Sequence, residues 1–243
     1  MTTLVRIAIA FLIALFLGSC GFDIKVSDFG PGEKGNGTII EENRPITGEF
    51  KEISAQEGID VYVTQADDFA ITVEADENIV DLIGTDIKNG KLRVHAIENI
   101  GRATKKVYVS LPEITELTAS SGAGLRSETP LTVQDLDIDM SSGANVRLEV
   151  AADHLNLDAS SGANANLSGK AVQAEFDVSS GANVNAVKLN AQQCRAEASS
   201  GANMSIHVDQ SLTADASSGG NISYAGNPSV SKKKSVSGSV TKY

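Results

Sequence analysis

From Leu131 to Tyr224 apolar and polar residues alternate with a period of two. Leu136, Ile138 and Met140 give way to Val146, Leu148 and Val150, then to Leu155, Leu157 and Ala159, and the rhythm continues through Val184 and Ala186 to Met204, Ile206 and Val208. Alternation of this kind predicts β-strands with one buried and one exposed face. The same five residues interrupt it each time: Ser120-Ser121-Gly122-Ala123-Gly124, then SSGAN from Ser141, Ser160, Ser179 and Ser199, and SSGGN from Ser217. The starts lie 21, 19, 19, 20 and 18 residues apart. Self-similarity at a near-fixed period is the signature of a stacked repeat fold.

One such repeat cannot bury its apolar side alone. Stacking solves this: each repeat becomes a coil whose strands pair with those above and below, ~4.8 Å away. The expectation is an all-β chain, a parallel β-helix or solenoid of about six coils of 18–21 residues. Gly122, Gly143, Gly162, Gly181, Gly201 and Gly219 fall between strands, where a positive φ is expected and glycine adopts it freely. A second, less regular turn is expected near Ala151-Ala152-Asp153, Ser168-Gly169-Lys170 and Leu189-Asn190-Ala191. Asn145, Asn164, Asn183, Asn203 and Asn221 recur at one point of successive coils. They are read either as an amide ladder along the axis or as residues that merely tolerate the turn.

Residues 38–115 also alternate, at Ile59, Val61 and Val63, at Ile71 and Val73, and at Val107, Val109 and Leu111. Asn89-Gly90 predicts a two-residue hairpin turn, and Asn78–Ile83 a short helical turn. This half is therefore expected to be β-rich and to cap the first coil, since an open solenoid end exposes core and unpaired edges. The tail from Gly226 to Tyr243, with Lys232-Lys233-Lys234, is read as a last strand blunting the other end. The expected organisation is a leader at 1–19, a tether at 20–37, the β-rich region at 38–115 and the repeats with their cap at 116–243.

The leader follows from residues 7–17, an apolar run preceded by Arg6. It is too short to span a membrane, which takes ~20 residues, and fits the core of a secretory signal peptide. Leu17-Gly18-Ser19-Cys20 resembles the bacterial lipobox, which implies cleavage before Cys20, acylation of that cysteine and membrane attachment through its lipid. Gly21, where an Asp would mark inner-membrane retention, points to the outer membrane. Cys194 is then the one remaining cysteine and no disulfide is expected; its inward strand position marks a small buried hydrophobe. The formal net charge is −11, and removing the leader takes away one arginine. So acidic a chain is not expected to bind nucleic acid. The absence of Trp and an aromatic content of 5% argue against a deep sugar-binding cleft.

Aligning the repeats places Asp139, Asp158, Asp177, Glu197 and Asp215 at one outward position of five coils. Carboxylates stacked at the strand spacing repel, so the row is read first as a solvated acidic face. The sharper alternative is a stripe for a cationic partner or for Ca²⁺, which takes carboxylate and amide oxygens, best at Asp139, Asp158 and Asp177. No other cofactor is expected. His95, His154 and His207 have no partners at ligand or triad spacing in the sequence and are read as structural or solvated. No enzyme is expected.

Arg44-Pro45-Ile46, Phe50-Lys51-Glu52-Ile53, Gly58-Ile59-Asp60-Val61, Lys88-Asn89-Gly90-Lys91-Leu92 and the Ser-Gly turns resemble the head GIN family of autotransporter-adhesin proteins, over about residues 38–225. The family takes its name from Gly-Ile-Asn; here Asp60 replaces the Asn, so no role of that amide carries over. The resemblance implies a pectin-lyase-like β-helix and cell-surface adhesion, and names no catalytic residue. The leading expectation is a lipid-anchored envelope protein that acts as an adhesin or surface-binding module for an unidentified protein or glycan. Homo-oligomerisation is left open. A periplasm-facing scaffold or stress accessory with a protein partner is the second reading, and a polysaccharide-active enzyme a distant third.

Overall fold

The structure is a computed structural model and describes residues 31–232 and 237–243. The chain forms seventeen strands among the described residues. The first seven are β1 (Ile39–Asn43), β2 (Glu52–Ala55), β3 (Asp60–Gln65), β4 (Ala70–Asp76), β5 (Ile83–Lys88), β6 (Lys91–Ala96) and β7 (Lys105–Leu111). The repeats supply β8 (Glu116–Ala119), β9 (Gly124–Ser127), β10 (Leu131–Met140), β11 (Asn145–Ala159), β12 (Asn164–Val178), β13 (Asn183–Ala198), β14 (Asn203–Ala216) and β15 (Asn221–Ala225). The tail adds β16 (Ser229–Lys232) and β17 (Ser239–Lys242). From β8 onward every pairing is parallel, coil on coil. The result is the expected β-solenoid of about six turns.

The alternation in the sequence is the alternation of burial. Leu136, Ile138, Leu155, Leu157 and Phe176 point inward and are buried, while Asp137, Asp139, Asn156 and Asp158 between them are exposed. One hydrophobic core runs from Phe50 to Tyr224. At about 25 cal/mol per Å² of apolar surface removed from water, this continuous core is the main force holding the coils together.

Each repeated phrase is a tight turn. The second serine and the glycine both have positive φ, 51° and 73° at Ser142-Gly143 and 52° and 72° at Ser180-Gly181. The alanine amide closes back on the first serine carbonyl, Ala144 to Ser141 at 3.0 Å. Two consecutive positive φ values with this bond describe a type I′ turn. The six glycines take the predicted conformation, and the six serines share it, which the sequence reading missed. The glycine amide also donates to the turn of the next coil, Gly143 to the Ser161 carbonyl at 3.1 Å and Gly162 to that of Ser180 at 3.1 Å. The turns thus stack as a column of their own.

The second bend leaves the β11–β12 ladder unbroken, whereas the β13–β14 register shifts there, between Ala191 and Gln193. In β11 the register with β12 runs through it, and the inside–outside rhythm slips by one, with Asp153 and His154 both exposed. Val172-Gln173 and Gln192-Gln193 slip at the same place in later coils. Gly169, φ 107°, lies close to the bend, where a Cβ would strike the Val150 carbonyl of the coil below.

The N-terminal half is built on the same coil. Gln56-Glu57-Gly58-Ile59 is a further turn, with φ 59° and 67° at its centre, and β2 and β3 on either side lie parallel to β8 and β9. Beneath them β6 and β7 make another level, parallel to β2 and β3. That end is closed by antiparallel strands: β5 hairpins onto β6 through Asn89-Gly90, β4 lies against β7, and β1 against β4. A 3₁₀ turn, Val80–Leu82, joins β4 to β5. At the other end β16 and β17 extend β14 and β15 as the tail predicted, and Lys232 Nζ donates to the Val240 carbonyl at 2.8 Å.

Candidate functional site

Two outward sheet faces carry the polar chemistry. On the first, Asp139, Asp158, Asp177, Glu197 and Asp215 stand in direct register on successive strands. The row is an outward line, as the repeat alignment predicted. A parallel column ends in cationic clamps. Lys91 meets Glu116 at 2.6 Å and Glu52 at 3.3 Å, and Arg195 meets Glu197 at 2.5 Å and Glu175 at 3.2 Å. The Lys91 ammonium holds the Glu116 carboxyl below its usual range. Between the clamps, Asn156 donates to Asp137 at 2.8 Å. Partial burial raises the Asp139 and Asp158 carboxyls first and neighbouring carboxylates raise them further. Among the described residues no three His, Cys, Asp or Glu side chains gather closely enough to hold a metal ion. The carboxylates form a line, not a cage.

The second face carries the amide column. Asn183 Nδ2 donates to Asn164 Oδ1 at 3.3 Å, Asn203 to Asn183 at 3.2 Å and Asn221 to Asn203 at 3.2 Å. Each of these donors also reaches the carbonyl of its own turn glycine. None of these asparagines has positive φ, so the ladder reading holds and turn tolerance does not explain them. The same column continues backward through Asn145 and Gly124 to Asp60. Gly58-Ile59-Asp60 is therefore an earlier copy of the Gly-Ala-Asn phrase. Its carboxylate can only accept, and Gly124, where a Cβ would run into Asp60, has no side-chain amide to pass on. The ladder begins at Asn164.

Beside the ladder a second outward column runs Tyr108, Tyr62, Arg126, Arg147, Asn166, Asn185, Ser205 and Ser223. The tyrosines stack with ring centroids 5.0 Å apart, and Arg126 sits over Tyr62 at 5.9 Å. Past Arg147 the column turns neutral and borders a groove of about 680 Å³ that ends at Tyr243. One wall is Val187. Register slips here because β13 carries residues that have no counterpart on β12 or β14. The sequence reading missed this groove, although the 20-residue interval after Ser179 is its trace.

The three histidines each meet a carboxylate: His95 Nε2 and Asp86 at 2.7 Å, His154 Nδ1 and Asp135 at 2.9 Å, His207 Nε2 and Asp209 at 3.3 Å. Sequence spacing had shown none of these partners, because two of the pairs form across strands. Cys194 is buried, and burial pushes its thiol up to about 12, which leaves it protonated and inert. Cys20 lies outside the described residues, as do Lys233 and Lys234.

Among solved structures the chain is similar to a putative adhesin from Bacteroides fragilis (22% identity, TM-score 0.77, covering 87% of this chain and 100% of that one). It is also similar to a putative adhesin from Parabacteroides merdae (22%, 0.72, 87% and 99%) and a putative lipid binding protein from Parabacteroides distasonis (22%, 0.71, 87% and 99%). At this identity they share the fold. No curated protein matches the sequence. The family model described as putative auto-transporter adhesin, head GIN domain, matches residues 49–228, the closed end and nearly all the coils together, and the chain belongs to that family.

Proposed function

We propose that this protein is a non-catalytic surface-binding module of the cell envelope, an adhesin held to the outer membrane by lipid on Cys20. The observation that carries the reading is the family membership over a solenoid whose polar chemistry lies on broad, open faces. Such faces suit extended partners, whereas catalysis needs convergent groups. Acyl chains contribute ~0.8 kcal/mol per buried methylene, so a multiply acylated Cys20 anchors stably. The apolar run followed by Leu-Gly-Ser-Cys supports that attachment.

The test is made on intact cells. External protease is expected to digest the wild-type protein, and deleting the protein is expected to reduce attachment to surfaces or to other cells. Cys20→Ala should shift it out of the membrane fraction, and mass spectrometry of the wild type should find lipid on Cys20. Protection from protease with unchanged attachment would favour the periplasm-facing scaffold instead.

A further inference from the structure

The groove beside the amide ladder stands apart from the rest of the surface. The chain carries a formal charge of −11, yet no lining side chain of this groove is charged at neutral pH. Its polar walls are primary amides and hydroxyls, and such groups both donate and accept hydrogen bonds. Asn185 Oδ1 accepts the Val187 amide at 3.4 Å, so its NH₂ group remains to meet a ligand. The groups recur once per coil, parallel to the axis, and Tyr243, 60% exposed, offers a ring at one end. The wall is the bulge of β13, and bulges re-aim side chains at functional sites.

Sugar hydroxyls also donate and accept at once, and sugar rings stack on tyrosine. A peptide would add to a sheet edge through its backbone, but here the backbone is already paired with the coils on both sides. We propose that the groove between the Asn164–Asn203 ladder and the Val187 bulge binds an uncharged glycan lying along the solenoid axis. Asn166, Asn185 and Ser205 hydrogen-bond its hydroxyls and Tyr243 stacks on a terminal ring. This rests on the surface-binding reading and specifies its ligand.

The detergent-solubilised full chain is applied to an array of uncharged oligosaccharides, with sialylated and sulfated glycans and acidic and basic peptides alongside. At least one uncharged glycan should be retained, with affinity nearly unchanged between low and high salt, since no ion pair is made. Asn166→Ala/Asn185→Ala should weaken it at least tenfold and Tyr243→Ala severalfold, while Asp158→Asn on the acidic face leaves it unchanged. Thermal melts confirm that each variant folds. Retention of charged probes only, or equal retention by the groove variants, overturns the proposal. Attachment of cells that needs the protein but not the groove residues would sink the glycan groove and leave the surface-binding reading standing. Attachment indifferent to the protein would sink that reading itself.

Discussion

At the scale of single residues the turn decides most. Gly181 has φ 72°, and a Cβ there meets nothing within 4 Å. The cost of replacing it is therefore conformational, not steric. Gly181→Val is expected to destabilise by more than ~1 kcal/mol, read from the denaturation midpoint. Its neighbour Ser180 sits at φ 52°, where serine is a poor choice and Asn-Gly is the preferred type I′ pair. Ser180→Asn should therefore raise the midpoint, by about 0.5 kcal/mol. The acidic row gives a pH prediction. Asp139 and Asp158 bind protons more tightly in the folded chain than at their ordinary value of 3.8. Just above that value the folded state holds more protons, so their contribution is favourable in acid and is lost as pH rises through the raised values. Asp139→Asn/Asp158→Asn should accordingly stabilise at neutral pH, by up to about 1 kcal/mol per relieved contact at low salt, and do nothing in acid. A midpoint that falls on this substitution at neutral pH and low Ca²⁺ would contradict the account.

At the scale of elements the ladder sets its interior rungs apart from Asn145, which shares the column but lies before the ladder's start. Asn183 Nδ2 donates to both Asn164 and Gly181, and its Oδ1 accepts from Asn203. Asn145 Nδ2 reaches the carbonyl of its own Gly143. Asn183→Ala should cost about 1 kcal/mol and Asn145→Ala clearly less. Equal costs in urea unfolding would mean that the stacked amides contribute nothing beyond each turn. The last turn carries the opposite lesson. Changing SSGGN to the commoner SSGAN by Gly220→Ala looks like a regularising substitution, but the new Cβ would strike the Ala198 carbonyl. It is expected to lower stability.

At the scale of the molecule the closed end matters most, because solenoid ends expose edges that pair with other chains. That end is tied down by Asp76, which is 3% exposed and accepts the amides of Gly37 at 2.6 Å and Thr104 at 2.7 Å. Residues 33–37, the end of the expected tether, form a strap bonded across this end ahead of β1, and a Cβ on Gly35 would run into the Asp76 carboxylate, so the strap passes there only as glycine. Asp76→Ala leaves both amides without an acceptor. A loss of roughly 2 kcal/mol or more is expected. Release of the strap, which leads into β1, should also loosen β1 from the edge of β4 and give soluble oligomers in size-exclusion chromatography. A monomer with an unchanged midpoint would show that the strap is not what closes the end.

The repeat, the buried side of each strand, the turn glycines, the Asn89-Gly90 hairpin and the in-register row from Asp139 to Asp215 were all legible in the order of residues. These follow from local rules: period two sets burial, positive φ selects glycine, and a constant repeat length sets register. The folded chain was needed to reveal that Glu57-Gly58 is the same turn as Ser-Gly, because the segments beside it lack the repeat spacing. It alone placed β6 and β7 beneath β2 and β3, although they come later in the chain, since the order of stacking depends on which edges are free. It alone paired Asp135 with His154 and gathered Asn166, Asn185 and Tyr243 around one groove. Those contacts join positions 19, 19 and 58 residues apart in sequence, and a distance along the chain becomes a distance in space only when the coils are stacked.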